Sequence, residues 1–212
     1  MKKLMFLAIV SLCSGLAALA QPATNFGYMN SRYVDSSLDK PIVHDGMYVG
    51  LSWNFELGNG FGVEPGLEWS YLVCSDTKGI EIGEIFSASA TYMSTENYLD
   101  IPVKFNYGYE LGAVRLFAYA GPIVSFGLSS VSKVKTVGGG NVLGDVTGPG
   151  SKINRYKNGD YSRFDVLMGA GAGIDFGLIR LVAGYSWGLL YRIPDTESLH
   201  RNQIKVGLAY MF

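Results

Sequence analysis

The sequence predicts one all-β domain, an eight-stranded antiparallel up-and-down transmembrane β-barrel. Apolar residues recur at every second position along seven segments, which is the spacing of strands with one apolar face. The charged residues of these segments all fall on the opposite face. The chain after residue 20 has no apolar run long enough for a spanning helix, which needs about 20 residues. A chain of this kind can cross a membrane only as a closed barrel.

The length and the charge of the chain exclude some classes of function. At 212 residues, the chain has the length of a single domain. Its 17 basic residues are matched by 18 acidic ones, so it lacks the basic excess typical of nucleic-acid-binding proteins. We therefore expect no nucleic-acid partner.

The first 20 residues resemble an export signal. Two lysines precede an apolar stretch that ends in Ala18, Leu19 and Ala20, the order of a secretory signal peptide with its cleavage site. We expect cleavage after Ala20, leaving residues 21–212 as the barrel domain. A lipoprotein reading at Cys13 is disfavoured because Leu12 stands where such a signal has a small residue. Cys74 is then the one mature cysteine, so no internal disulfide is expected.

The strands are predicted in chain order from the alternation. The weakest is the first, near residues 25–33, where Phe26 and Tyr28 alternate with polar or small residues. The other seven cover residues 47–57, 61–73, 98–107, 114–128, 163–176, 179–189 and 203–212. Tight turns follow the second, fourth and sixth strands, and the Asn59-Gly60 step in the first of these turns is typical of a hairpin. The remaining connections are much longer than usual hairpin loops.

The polar face of the seven clear strands carries eleven charges. They are Glu56, Glu64, Glu68, Asp100, Lys104, Arg115, Arg163, Asp165, Asp175, Arg180 and Lys205. A soluble lipocalin-like barrel would turn them to water, whereas a membrane barrel turns them inward. Alternating short and long connections favour the membrane barrel, whose turns are short on one side and whose loops are long on the other.

Aromatic residues gather near the strand ends. Near the tight turns lie Phe55, Phe61, Tyr107, Phe176, Tyr210 and Phe212, and near the other end lie Tyr71, Phe126, Phe164 and Trp187. Two such bands are expected at the two interfaces of a membrane. A soluble barrel explains neither the bands nor the alternating connections.

Eight strands enclose an interior that side chains just fill. We therefore predict a salt-bridged plug and no open pore, with Asp175 and Arg180 facing each other across the tight turn at Gly177. Passive transport is disfavoured for the same reason. Pro65, Pro102 and Pro122 lack backbone donors within strands, which predicts bulges there.

Several stretches, in order and spacing, resemble the PorT-like outer-membrane β-barrel family of Bacteroidota. The first runs from GMYVGL at Gly46 to EWSY at Glu68, and the others are YLDIPVK from Tyr98, YAGP from Tyr119, GAGAGID from Gly169 and the closing YMF. The resemblance covers most of residues 46–212 and implies an eight-stranded barrel in the cell outer membrane. The terminal Phe212 resembles the signal that the barrel-assembly machinery reads, which implies that machinery as a partner during insertion. Most members of the family have no assigned activity, and a few are associated with secretion or surface attachment.

The sequence offers few residues in arrangements typical of catalysis or metal binding. Two histidines, His44 and His200, and the lone Cys74 do not provide a zinc-ligand spacing, and we expect no catalytic residue, no cofactor and no metal. The expected role is a non-enzymatic surface scaffold or binding protein in contact with outer-membrane lipids, lipopolysaccharide and envelope proteins. The alternative is a lipid-modifying enzyme of the lipid A hydrolase type, using Glu197, Ser198 and His200. Against it, the sequence lacks the His-x-Ser pair of such enzymes.

Two long connections carry the remaining signals. The connection over residues 129–160 has cations at Lys133, Lys135, Lys152, Arg155 and Lys157 against Asp145 and Asp160. It is predicted either to bind surface polysaccharide or lipid phosphates or, as we favour, to be a mobile solvated loop. Residues 75–96 are acidic, and Ile80, Ile82 and Ile85 indicate that part of this segment forms a hairpin.

Overall fold

The computed structural model describes residues 20–34, 41–82, 86–140, 146–147, 151–157, 159, 161–193 and 199–212. Its strands are β1 (Gln21–Val34), β2 (Ile42–Gly58), β3 (Phe61–Ile82), β4 (Phe86–Leu111), β5 (Val114–Gly140), β6 (Val146–Thr147), β7 (Ser151–Asn154), β8 (Phe164–Phe176), β9 (Ile179–Gly188) and β10 (His200–Met211). In this part of the chain, no helix is both long enough and apolar enough to cross a membrane.

Eight of the strands close into an antiparallel up-and-down barrel. Neighbours follow the order β4-β3-β2-β1-β10-β9-β8-β5, and pairing of β4 with β5 completes the ring. The weakly predicted first strand is confirmed as β1, which closes the barrel against β10 by pairing Phe26 with Leu208. The short strands β6 and β7 pair with the far end of β5 and lie outside the ring.

Alternation along each strand separates an apolar outer face from a polar lumen. On β2, Met47 and Leu51 are 61% and 48% exposed, whereas Tyr48 between them is 4% exposed. Outward-facing apolar residues need a nonaqueous surrounding, which a membrane provides. Apart from the half-buried Phe55, every residue of the two predicted aromatic bands is at least 38% exposed, which confirms that the bands face outward.

Two charges predicted for the lumen lie elsewhere. Arg163 precedes β8 and is exposed; its guanidinium donates hydrogen bonds to the carbonyl oxygens of Gly127 and Leu128. Because the regular alternation starts only at Phe164, parity does not fix its direction. Glu56 lies on the inner side of β2 but is exposed, since the lumen ends at the tight turns.

The predicted bulges at the prolines are wrong. Ser52 pairs with Gly66 and Phe55 with Val63, so the ladder skips positions beside Pro65 while its register is unchanged. The ladders beside Pro102 and Pro122 behave in the same way. A proline removes one donor without adding a residue, so the chain loses hydrogen bonds but stays in register. The register shifts occur at Glu56/Gly58 and Asn97/Tyr98 instead.

Three neighbouring strands continue beyond the aromatic band opposite the tight turns. The pairing of β3 with β4 extends to Ile82 and Phe86, which confirms the hairpin predicted within residues 75–96. The loop predicted from residue 129 is shorter than expected, because β5 continues to Gly140 and β7 pairs back on it. We call residues 75–82, 86–93 and 131–140, together with β6 and β7, the outer sheet. The side chains of residues 76–90 and 134–152 lie outside the described part of the structure.

Candidate functional site

The lumen near the tight turns is filled by ion pairs centred on Arg180. Its Nε lies 2.6 Å from Oδ1 of Asp175, and its Nη1 lies 2.5 Å from Oε2 of Glu64. Arg115 bonds the second oxygen of Asp175 at 3.2 Å. The predicted pairing of Asp175 with Arg180 across the Gly177 turn is therefore confirmed.

Two lysines continue the network along the barrel. The Lys104 ammonium lies 3.5 Å from carboxylate oxygens of both Glu64 and Glu68. The Lys205 ammonium lies 2.7 Å from Glu68 and 3.2 Å from Asp100. Lys104 on β4 joins two carboxylates of the neighbouring β3, whereas Lys205 on β10 joins carboxylates of β3 and β4 and so ties opposite walls of the barrel together.

Arg201 extends the network towards the far end. Its Nη2 donates to Oγ of Ser125 at 2.6 Å, and its Nε lies 3.2 Å from Asp165. Ser125 in turn donates to Asp100 at 2.5 Å. The guanidinium lies 3.9 Å from the ring centre of Tyr98, a stacking that stabilises a buried cation.

The buried network balances its charges and leaves little space. Its acids are Glu64, Glu68, Glu96, Asp100, Asp165 and Asp175, and its bases are Lys104, Arg115, Arg180, Arg192, Arg201 and Lys205. Two cavities between these residues measure about 30 and 10 Å³. Since one water needs about 10–15 Å³, these two cavities have room for only a few waters, as expected for the predicted plug.

A second cluster closes the mouth of the barrel opposite the tight turns. Arg192 lies on the connection between β9 and β10, and its guanidinium enters the barrel. Its Nη2 donates to the hydroxyls of Tyr98 and Tyr156 at 2.5 and 2.9 Å and lies 3.6 Å from Glu96. The side chains of Arg192 and Glu96 are each 1% exposed. Burial lowers the pKa of Arg192, but the nearby tyrosines and Glu96 outweigh it and hold the pKa above its usual range.

Strands and connections both contribute to this cluster, which we call the tyrosine pocket: Tyr33, Glu96, Tyr98, Tyr156 and Tyr161. The Glu96 carboxylate accepts hydrogen bonds from the hydroxyls of Tyr33 and Tyr98, and from Ser130 at 2.9 Å. Tyr156 enters the pocket over Gly127, where an added Cβ would lie 1.7 Å from the Tyr156 hydroxyl. The absence of a side chain at Gly127 therefore leaves the room that Tyr156 needs in the pocket.

The residues considered for catalysis do not form a described site. Glu197 and Ser198 lie outside the described residues. His200 packs its ring against Tyr191 at 4.7 Å, and His44 lies in the lumen with its ring 5.2 Å from that of Tyr33. Within the described ranges, no three His, Cys, Asp or Glu side chains are grouped as metal ligands.

The cations predicted for the connection over residues 129–160 differ in their contacts. Arg155 donates to Ser132 and Tyr92 at 3.2 and 3.3 Å, so it helps to fix the connection to the barrel. Lys133 and Lys157 are exposed. The side chains of Lys135 and Lys152, and both Asp145 and Asp160, lie outside the described part of the chain.

An open cavity of about 320 Å³ lies between two turns at the tight-turn end. Its lining includes Glu56, Tyr107, Tyr109, Glu110 and Arg115. Phe61 packs against Tyr107 beside it, with ring centres 4.8 Å apart. This cavity is separated from the tyrosine pocket by the filled lumen.

Sequence reasoning missed Glu96, Arg192 and Arg201. Arg201 continues the inward alternation of Gln203 and Lys205, so extending the last strand by two residues would have found it. Glu96 lies just beyond the predicted start of the fourth strand, next to the bulge at Asn97/Tyr98. Arg192 lies outside any strand, and no pattern in the sequence marks it.

Comparison with known proteins places the fold among membrane barrels. Residues 21–190 match the family described as outer membrane protein beta-barrel domain. The attachment invasion locus protein Ail of Yersinia pestis is similar at 15% identity and a TM-score of 0.40, over 91% of this chain and 99% of Ail. Neisserial surface protein A is similar at 10% identity and 0.43, over 90% and 97%. The outer membrane enzyme PagL is similar at 14% identity and 0.39, over 87% and 98%. The search of curated proteins gave no match.

Proposed function

Because this chain belongs to the outer membrane protein beta-barrel domain family, we propose that it is a non-enzymatic surface protein of the cell outer membrane, whose barrel holds a binding or scaffolding surface outside the cell. Its tight turns then face the periplasm and its long connections the exterior, as in other barrels of this class. Within the family, we assign it to the PorT-like barrels of Bacteroidota on the sequence stretches quoted above. A cleaved signal peptide over residues 1–20 would deliver it, leaving 21–212 as the barrel domain.

The outer sheet is the observation that carries this proposal. Asn97 pairs with Tyr71 of the outer aromatic band, and β4 continues from there to Phe86. At about 3.4 Å per residue, this is about 37 Å of strand, or roughly 26 Å of height at a tilt of about 45°. The apolar band of such barrels is itself only about 25 Å tall. The sheet therefore reaches far beyond the lipid surface, where a binding surface is useful.

The lumen supports a role at the surface rather than in transport. Cavities of about 30 and 10 Å³ cannot pass a nutrient, and the ion pairs around them hold opposite walls together. A rigid, filled barrel serves well as an anchor for an external sheet. The outer faces of the strands contact lipid and lipopolysaccharide, and Phe212 is the proposed contact for the barrel-assembly machinery. More specifically, we propose that the protein is part of a secretion or attachment assembly.

The register between β3 and β4 allows the role of the outer sheet to be tested by a deletion. Cys74 pairs with Ser94, so replacing residues 75–93 by Asn-Gly joins two paired residues through a two-residue hairpin turn and leaves the barrel strands intact. Intact and shortened proteins are crosslinked in the native outer membrane, purified through a tag, and compared with another barrel of similar abundance. Glu110→Gln, a change at an exposed residue of the tight-turn end, is the matched control.

We expect the intact protein and the control to crosslink specific envelope or external proteins, and the shortened protein to lose them. Folding of all three is checked by their faster migration on unheated gels. If a folded, shortened barrel keeps the same crosslinked proteins, the outer sheet is not the binding surface and the proposal is wrong.

A further inference from the structure

The tyrosine pocket has the composition of a cation receptor. The Cζ atom of Arg192 lies 4.8 Å from the ring centre of Tyr161, 5.2 Å from Tyr98, 5.4 Å from Tyr156 and 5.7 Å from Tyr33. Aromatic faces within about 6 Å of a cation attract it, and several rings around one cation form a recognition cage. Glu96 supplies the negative charge, 3.6 Å from Nη2 of Arg192.

The cation and its cage come from different parts of the chain. Tyr33, Glu96 and Tyr98 are fixed on the barrel strands β1 and β4. Arg192 instead lies after β9, outside the barrel strands, where its N–H donates to Leu199 O and its carbonyl oxygen accepts from Ser162 N, each at 2.8 Å. Displacing the Arg192 side chain would remove the cation while leaving the part of the cage on the barrel strands in place.

The pocket without its arginine would carry negative charge. Glu96 is 1% exposed and accepts three hydroxyl hydrogen bonds, which stabilise its ionised form. Arg201 lies 3.9 Å from the ring centre of Tyr98, but its polar contacts are with Ser125 and Asp165 and not with Glu96 among the described residues. A buried carboxylate without a cation is strongly unfavourable, so the vacated pocket would favour any small cation that fits its rings.

We propose that the tyrosine pocket is a binding site for a guanidinium or ammonium group presented from outside the cell, and that Arg192 occupies it as an intramolecular ligand. An arginine side chain of an external protein is the ligand that this geometry fits best, because the guanidinium of Arg192 already lies among the rings and within ion-pair distance of Glu96. Its binding displaces the side chain of Arg192 from the pocket. This inference rests on the proposed role as a surface-binding protein and identifies the chemistry that it would recognise.

Release of Arg192 would also expose polar groups that are buried while Arg192 occupies the pocket. Ser31 pairs with both His44 and Gln203, and all three inward side chains are at most 3% exposed. Among the described residues, their side-chain polar atoms have no hydrogen-bond partner. Groups of this kind gain free energy when water reaches them, which would favour the open state once the cation of Arg192 is displaced. Ser31 is 0% exposed and is therefore a sensitive reporter of opening.

The first experiment is chemical rescue of Arg192→Ala in purified protein. The variant is expected to melt at a lower temperature than wild type, and about 20 mM guanidinium chloride should restore about half of the lost Tm, since a ligand of the folded state raises Tm. Urea and sodium chloride at the same concentration should not. Arg163→Ala is the matched control, because Arg163 also lies over Tyr156, at 4.7 Å, but is exposed. If Arg192→Ala fails to fold, the readout becomes the refolding yield with and without guanidinium.

The second experiment detects displacement in the protein with its arginine present. Ser31→Cys in a Cys74→Ser background is treated with a membrane-impermeant maleimide, with and without methylguanidinium. Labelling is expected to rise several-fold with the cation and to be fast in Arg192→Ala without it. Absence of guanidinium rescue would overturn the cation site. Rescue without faster labelling would overturn displacement. Neither readout needs a partner, so both are independent of the crosslinking that tests the proposed function.

Discussion

Asp175→Ala tests whether the ion pairs of the lumen stabilise the barrel. The substitution removes the acceptors of Arg180 Nε and Nη2, at 2.6 and 3.0 Å, and the partner of Arg115 at 3.2 Å. Arg180, with 4% of its side chain exposed, then keeps Glu64 as its one ion-pair partner among the described residues. Breaking a buried ion pair on one side costs about 3–5 kcal/mol, and because Glu64 remains we expect the lower end, about 3 kcal/mol.

Urea unfolding of the barrel in lipid vesicles measures this loss. The tryptophans Trp53, Trp69 and Trp187 lie on the outer face, so their fluorescence reports departure from lipid. With an m-value of about 3 kcal/mol per M, a loss of 3 kcal/mol lowers the urea midpoint by about 1 M. The double variant Asp175→Ala with Arg180→Ala should lose less than the sum of the single losses, because the two residues are in contact.

Glu110→Gln is the control for this series, because Glu110 is exposed. It should change the free energy of unfolding by less than about 0.5 kcal/mol. An unchanged midpoint for Asp175→Ala would refute the reasoning, since it would mean that water or relaxation fully compensates Arg180. Strict additivity in the double variant would show that Asp175 and Arg180 act separately.

Three further predictions concern the wall and the loops. Gly184→Ala should lower the urea midpoint, because the added Cβ would lie 2.1 Å from the Tyr119 hydroxyl; an unchanged midpoint would show that Tyr119 moves freely. Leu51→Arg, on the lipid-facing side at 48% exposure, should cost about 2–4 kcal/mol near the bilayer centre, measured by the same unfolding in vesicles; no loss would place Leu51 outside the hydrocarbon. Ser198→Ala and His200→Ala should leave the lipid A masses of the cell unchanged in mass spectrometry, and loss of a modification would revive the enzyme alternative.

The barrel wall could be predicted because the membrane and the filled lumen constrain alternate residues. On β2, a shift by one position would bring Met47 into the polar lumen and Tyr48 to the lipid, so the pattern had to be strict. The same constraint placed Asp175 opposite Arg180. The constraint weakens where the strands leave the lipid, and for that reason Glu56 and Arg163, both at strand ends, are exposed although the alternation predicts them in the lumen.

The tyrosine pocket could not be predicted because the residues that form it do not follow the two-residue alternation of a strand. The shift at Asn97/Tyr98 leaves Leu128 as the extra residue on β5, so inward positions change from odd, as at Ser125, to even, as at Ser130. Alternation is therefore lost at the end of the predicted strand. Arg192 reaches the pocket from a connection, where its burial depends on tertiary contacts alone. The prolines show a further limit, since a missing donor indicates a gap in the ladder but not a change of register.

The construction of the outer sheet bears on how this protein can change over evolutionary time. The pairing of β3 with β4 keeps one register from Phe61 and Tyr107 to Ile82 and Phe86. Adding or deleting matched residues at the tip therefore lengthens or shortens the hairpin without altering the closure of the barrel. A lineage could therefore replace the outer sheet repeatedly while the barrel stayed the same. The loop-carrying end is thus free to diversify at little cost to folding.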